Sequence, residues 1–176
     1  ATASASPFIP AKGVALVRAW LLLIALMVYA MILVGGATRL TDSGLSITEW
    51  KPLLGAFPPM NETAWADAFA KYQSMTAQYH QLNPNMDLAG FKGIYWWEWS
   101  HRFLGRFIGL VFFLPFAYFA LSGSLSRDTP WRGAVLFILG GLQGALGWYM
   151  VASGLVDRVD VSQYRLAAHL TLATVI

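Results

Sequence analysis

The sequence predicts an all-α, integral membrane four-helix bundle with one long loop between its first two spans. Composition is the first reason: 57% of the 176 residues are hydrophobic and 12% are charged, the balance of a membrane protein. Charge-free runs are the second. Ala19 to Ala37, Phe107 to Ser126 and Gly133 to Gly154 contain 19, 20 and 22 residues without a charge, and a spanning helix needs about 20 apolar residues. The third is a further apolar run, Leu166 to Ile176, which begins a fourth helix and stops partway through it. The chain therefore reads as a piece of something longer.

The first 13 residues, ATASASPFIPAKG, are small and polar, with neither a secretory cleavage pattern nor the arginines of a transit peptide. The spans follow at about 15–38, 91–124, 132–153 and 163–176. Lys12 and Arg18 flank the first span, and Arg127 and Arg132 lie in the short loop before the third. Basic residues in short segments mark the inner side, so the N-terminus is expected inside. Eight of the nine acids, all but Asp128, then fall on the other side.

The outer loop, 39–90, carries its own helical signal. Asn61 is a capping residue with Glu62 in the first turn, and Trp65, Phe69, Tyr72, Met75, Tyr79 and Leu82 recur every three or four residues. An amphipathic helix over about 62–82 is expected, on the membrane surface or over the bundle mouth. Helices one and three both end in SGL, at Ser43 to Leu45 and Ser153 to Leu155. A histidine-bearing helix follows each, which suits a bundle of two helix pairs. Gly140, Gly141, Gly144 and Gly147 with Ala145 read as a helix-packing face.

The absence of cysteine excludes disulfides, thiolate zinc sites and iron–sulfur clusters from this stretch. Its dispersed positive charge shows no nucleic-acid patch. Of three histidines, His80 sits in the polar loop. His101 and His169 begin helices two and four on the outer side, at similar depth. Intramembrane ionisable groups tend to face a bundle interior and to serve function. Paired imidazoles across a bundle suit a haem iron, or another transition metal. Gly105, Ala168 and Ala173 lie beside or one turn from these histidines, where small residues admit a flat macrocycle. Arg39, Arg102, Arg106 and Arg165 cluster at the same end. Arginine suits haem propionates by charge and geometry and also serves as an interfacial anchor. Trp96, Trp97 and Trp99 form an aromatic belt. Glu98, three residues before His101 and four before Arg102, is either a salt-bridge partner or a proton-handling group.

Several long motifs in one order resemble the haem A synthase family, membrane enzymes that convert haem O to haem A for cytochrome oxidase assembly. They are GGATRLTDSGLSITEWKPLLGAFPP, NMDLAGFKGIYWWEWSHRFLGR, LQGALGWYMVASGL and VSQYRLAAHLTLA, and the likeness covers nearly all the chain. The likeness is to the cysteine-free branch of mitochondria and related proteobacteria, so any redox role of a loop cysteine pair does not transfer. The resemblance implies an eight-helix protein of two similar four-helix halves, with this chain as the N-terminal half. It implies His101 and His169 as haem iron ligands, Glu98 as the catalytic carboxylate, and haem O as substrate here. Haem B would occupy the other half. Haem O synthase, an electron donor and a second copy of the chain are the partners it admits, in a bacterial plasma membrane ahead of a mitochondrial inner membrane. The rival function is a bis-histidine cytochrome b that transfers electrons. It explains His101, His169 and the arginines equally well and leaves Glu98 idle.

Overall fold

A computed structural model describes residues 11–126 and 128–176. The first ten residues, the side chains of Ala11 and Lys12, and Arg127 lie outside the described residues, with the topological roles expected of them. Among the described residues all regular structure is helical: α1 Ala11–Leu40, a 3-10 turn Leu54–Ala56, α2 Glu62–Met75, α3 Ala77–Leu82, α4 Leu88–Leu121, α5 Thr129–Ala152 and α6 Gln163–Val175. Helices α1, α4 and α5 are long and apolar enough to cross a membrane. Helix α6 adds a shorter fourth member.

The long helices pack antiparallel, in chain order. On α1 and α4, the Trp20 indole donates to the Val111 carbonyl at 2.8 Å and the Thr38 hydroxyl to the Trp97 carbonyl at 3.2 Å. Between α4 and α5, a Cβ on Gly133 would stand 2.2 Å from a Phe116 ring carbon. Only glycine admits that ring, and it allows Phe113 and Phe137 to pack at 4.9 Å above it. Helix α6 packs on α5. Helix α1 touches neither α5 nor α6, and α4 does not touch α6. The four helices therefore form an open row of neighbours that leaves space between the α1–α4 and α5–α6 pairs.

At one end this row is capped. The stretch expected as one helix over 62–82 is two, because Thr76 is extended and caps both: its N–H donates to the Tyr72 carbonyl, and its hydroxyl accepts from Tyr79 N–H. The break lets α2 and α3 take different directions. The aromatic stripe of α2 lies on the first turns of α4. Trp65, Tyr72, Phe91 and Tyr95 form a buried cluster with Phe69 and Tyr79 against it, in tilted and edge-on pairs such as Trp65–Tyr95 at 4.9 Å. Helix α3 reaches the other side. Gln78 is buried, and its amide donates to the carbonyls of Asp42 at 2.8 Å and Val159 at 3.1 Å. It thereby ties the loop after α1 to the loop after α5. Its own oxygen accepts from the Tyr72 hydroxyl, which accepts from Asn83.

The repeated SGL turns meet here. Leu45 and Leu155 share a buried cluster with Val151 and Val161, and a Cβ on Gly154 would touch Leu45 at 3.6 Å. Arg39 adds an exposed bridge to Asp160 at 3.1 Å. The two helix pairs are joined by α4–α5 packing and by this cap, and by no other helix contact among the described residues.

Candidate functional site

Cross-helix contacts place His101 and His169 at one level. Arg102, next to His101, stacks over the Trp148 ring at 5.3 Å. Gly147, next to Trp148, meets His169. Each imidazole rests on a glycine of the preceding helix in the row. A Cβ on Gly35 would lie 3.2 Å from His101 Nε2, and one on Gly147 would lie 3.0 Å from His169 Cε1. Sequence reasoning did not select Gly35, although the GG pair in helix one was its only mark, and it assigned Gly147 to helix packing. Gly140, Gly141 and Gly144, expected to pack with it, have nothing within 4 Å. Gly105 faces Met31 of α1 at 3.5 Å. Ala168 and Ala173 are exposed, as is His80.

Gln143 completes the surroundings of His169. Its amide nitrogen lies 3.2 Å from Nε2 and donates to the His169 carbonyl at 3.0 Å. Nδ1 is buried without a partner. No cluster of three or more His, Asp or Glu side chains that would hold a bare metal ion occurs among the described residues. Two imidazoles at one level are instead a donor set for a metal that brings further ligands of its own. The residues thus fit a haem: two imidazoles on separate helices at one level, and glycines that let each ring lie against its neighbouring helix.

Glu98 and the arginines divide between this space and the loop. Glu98 is 2% exposed. One carboxylate oxygen accepts from the Ser46 hydroxyl at 2.8 Å and the Ile47 N–H at 2.7 Å, while the other is paired with Arg102. Arg102 also donates to the carbonyls of Ile47 at 2.9 Å and Glu49 at 3.1 Å. One turn on, Arg106 donates to the carbonyls of Pro52 at 2.8 Å and Lys51 at 3.2 Å. Glu98, Arg102 and Arg106 share one face of α4 at a spacing of four. Along it they clasp residues 46–52 as a strap, and Trp50 of the strap stacks on Trp148 of α5 at 5.9 Å. Glu98 is therefore ion-paired, and it is buried within one turn of His101. Arg106 Nη1 remains buried and unpaired. Arg165 donates to the Ser153 carbonyl at 3.2 Å and lies over Tyr149 at 5.1 Å.

A cleft of about 280 Å³ opens between the strap and α2, with Glu49, Lys51, Asp67, Lys71, Arg102 and Arg106 among its walls, and it contains neither histidine. Four of these side chains, Glu49, Lys51, Asp67 and Lys71, are mutually paired. Glu49 accepts from Lys51 at 2.9 Å and Lys71 at 3.2 Å. The Lys51 hydrogen bond, with Lys71 behind it, holds the Glu49 carboxyl below its ordinary range.

Known proteins share this arrangement of sequence. The chain is 57% identical over 168 residues to the haem A synthase of Azorhizobium caulinodans, covering 96% of this chain and 48% of that protein. It is 59% identical over 157 residues to that of Parvibaculum lavamentivorans, covering 89% and 45%, and 59% over 160 residues to that of Maricaulis maris, covering 91% and 47%. The chain thus spans about half the length of the curated relatives it matches. No solved structure matches it. The model of the COX15-CtaA family, described as cytochrome oxidase assembly protein, matches residues 18–176. Most of the chain, both histidines and the strap lie within that match, and the chain belongs to this family.

Proposed function

We propose that this chain supplies one haem site of a haem A synthase, which oxidises a methyl group of haem O to the formyl group of haem A for cytochrome oxidase assembly. The observation that carries the reading is the pair of imidazoles, His101 and His169, set at one level on separate helices, each against a glycine. Identity to proteins of that name supports it. Haem O is the substrate at this site, and a resident haem B belongs to the half of the relatives' length that this chain does not cover. The protein sits in a bacterial plasma membrane with its N-terminus inside and the capped end outside, because Arg18 and Arg132 flank the opposite ends of α1 and α5. Haem O synthase delivers the substrate, and an electron donor acts with the complete protein.

The haem supplies the reactive macrocycle, and the chain's residues hold and surround it. His101 and His169 would hold the haem iron. A metal held at His169 Nε2 would take the place of the Gln143 amide there, which could keep its bond to the His169 carbonyl. Gly105, Ala168 and Ala173 leave room for the porphyrin edge. Arg39, Arg165 and the unpaired Nη1 of Arg106 serve the propionates, with Arg102 contributing positive charge from its clasp on the strap. Glu98 handles protons. Of its partners, only the Ser46 hydroxyl carries a proton it exchanges readily, so movement at Glu98 runs through that oxygen.

The bonds of Glu98 to the strap also favour a second reading. In a bis-histidine electron carrier Glu98 would act only as a structural tether, and the haem would remain unmodified. The two are separated by extracting the pigments of the complete protein, purified from cells that make haem O, and identifying them by chromatography and mass. Haem A or its hydroxylated precursor in the wild type, lost in Glu98→Gln, is the expected result. Unmodified haem alone in the wild type overturns the enzyme and leaves the carrier.

A further inference from the structure

The apolar side chains after the strap have no partner in the fold. Leu53 is 83% exposed, Leu54 76%, Phe57 73% and Met60 79%. Such a cluster on one short loop marks a binding surface. We propose that the loop from Trp50 to Met60 is embedded in the membrane, and that its partner is the acyl-chain boundary of the leaflet on the capped side.

Depth is the first argument. Arg106 holds the Lys51 and Pro52 carbonyls, and a Cβ on Gly55 would stand 3.0 Å from its guanidinium. The loop therefore lies level with Arg106. Fifteen residues of α4 separate Arg106 from Leu121 at the far end, about 22 Å of helix. A bilayer core about 30 Å thick reaches past that level. The uncharged run of α4 also starts at the next residue, Phe107.

Backbone satisfaction is the second. Irregular backbone survives at membrane depth only when its polar groups are paired. Here the Glu49, Lys51 and Pro52 carbonyls accept from Arg102 and Arg106. The N–H groups of Gly55, Ala56 and Phe57 donate to Lys51, Leu53 and Leu54 across the 3-10 turn, while those of Trp50, Lys51, Leu53, Leu54 and Met60 make no bond among the described residues, which sets the loop at the boundary, where headgroup water reaches them, and not deeper. Pro52, Pro58 and Pro59 have no N–H to satisfy.

The charges supply the third argument. Lys51 sends its ammonium back to Glu49 at 2.9 Å, towards the capped end, while its stem stays with the loop. That is the snorkelling expected at a lipid boundary. Trp50, stacked on Trp148, occupies the interfacial position that tryptophan favours. The loop thus anchors the strap, and through it Glu98, at a fixed height in the bilayer.

The chain has no cysteine, so Leu54→Cys introduces a unique labelling site in the complete protein. The label is a bimane, the protein is held in lipid nanodiscs, and the quenchers are a lipid spin-labelled near its headgroup and aqueous iodide. Leu53→Cys repeats the test in case one variant misfolds. His80→Cys on α3 serves as the aqueous reference, and Leu114→Cys, exposed on α4, as the deep lipid reference. The expected result is that the label at Leu54 loses most of its emission to the shallow lipid quencher and little to iodide. Quenching by iodide at the level seen for His80 overturns the proposal. So does protection from both quenchers, which would mean that protein covers the loop.

Discussion

Changing Gly35 to alanine puts a Cβ 3.2 Å from His101 Nε2 and 3.3 Å from its Cδ2, while the same change at Gly36 meets nothing within 4 Å. Both variants gain helix propensity, worth about 1 kcal/mol on removing a glycine. Gly35→Ala must also move the imidazole by a few tenths of an ångström, and overpacking of this kind costs about 1–3 kcal/mol. The net change in stability is then about +1 kcal/mol for Gly36→Ala and between about +0 and −2 kcal/mol for Gly35→Ala. Where the haem-free protein relieves the strain by moving the ring, returning the proposed ligand His101 to its place on haem binding costs that 1–3 kcal/mol there instead, a loss of about five- to 150-fold. The assay is titration of the haem-free protein with haem, followed by the Soret band, with thermal unfolding measured in parallel. Equal haem affinities for the two variants, or a loss at Gly36 instead of Gly35, would refute the placement of His101 against α1.

Glu98→Ala leaves Arg102 and the Ile47 N–H without their carboxylate, and breaking such a buried pair costs about 3–5 kcal/mol. The expected result is a thermal midpoint lowered by several degrees, with the strap more open to limited proteolysis; an unchanged midpoint would show that the clasp contributes nothing. Gln78→Leu keeps the volume and removes both donors to the Asp42 and Val159 carbonyls. Unpairing buried groups costs about 1–3 kcal/mol each, so amide exchange at Ser43–Leu45 and Val161 should quicken, and unchanged exchange would remove Gln78 from the joint. Glu49 ionises below its ordinary range, with Lys51 and then Lys71 as the favourable partners. Its small contribution to stability is present above the ordinary carboxylate pKa and is lost as pH falls through the lowered one. Carboxyl NMR should show that lowered titration, and Lys51→Met should move it back up.

Adjacent residues show where the sequence stops being informative. Gly35 and Gly36 are indistinguishable as letters, and only the rotation of α1 against α4 decides which one meets His101. Gly140, Gly141, Gly144 and Gly147 read as one packing face, yet only Gly147 meets a neighbour, because the rotation of α5 turns that one towards His169. The periodic stripe over 62–82 reads as one helix, since an extended residue at Thr76 does not disturb hydrophobic spacing. The repeated SGL turns were visible as an echo, but their direct packing was not. Arg102 and Arg106 were selected by type and place as propionate partners. Their bonds to strap carbonyls depend on a loop folding back over α4, and no local pattern encodes that.

The sequence by itself determined the membrane class, the order of the long helices, and the histidines proposed to carry the function. Each of these follows from local physics: a charge-free run long enough to cross hydrocarbon, and an ionisable group too costly to place there without purpose. Only the tertiary structure decided which glycine each imidazole touches, what holds Glu98, and how the two helix pairs are joined. Those contacts link residues far apart in the chain, and their energies depend on the rotation and register of whole helices, which short-range spacing does not specify.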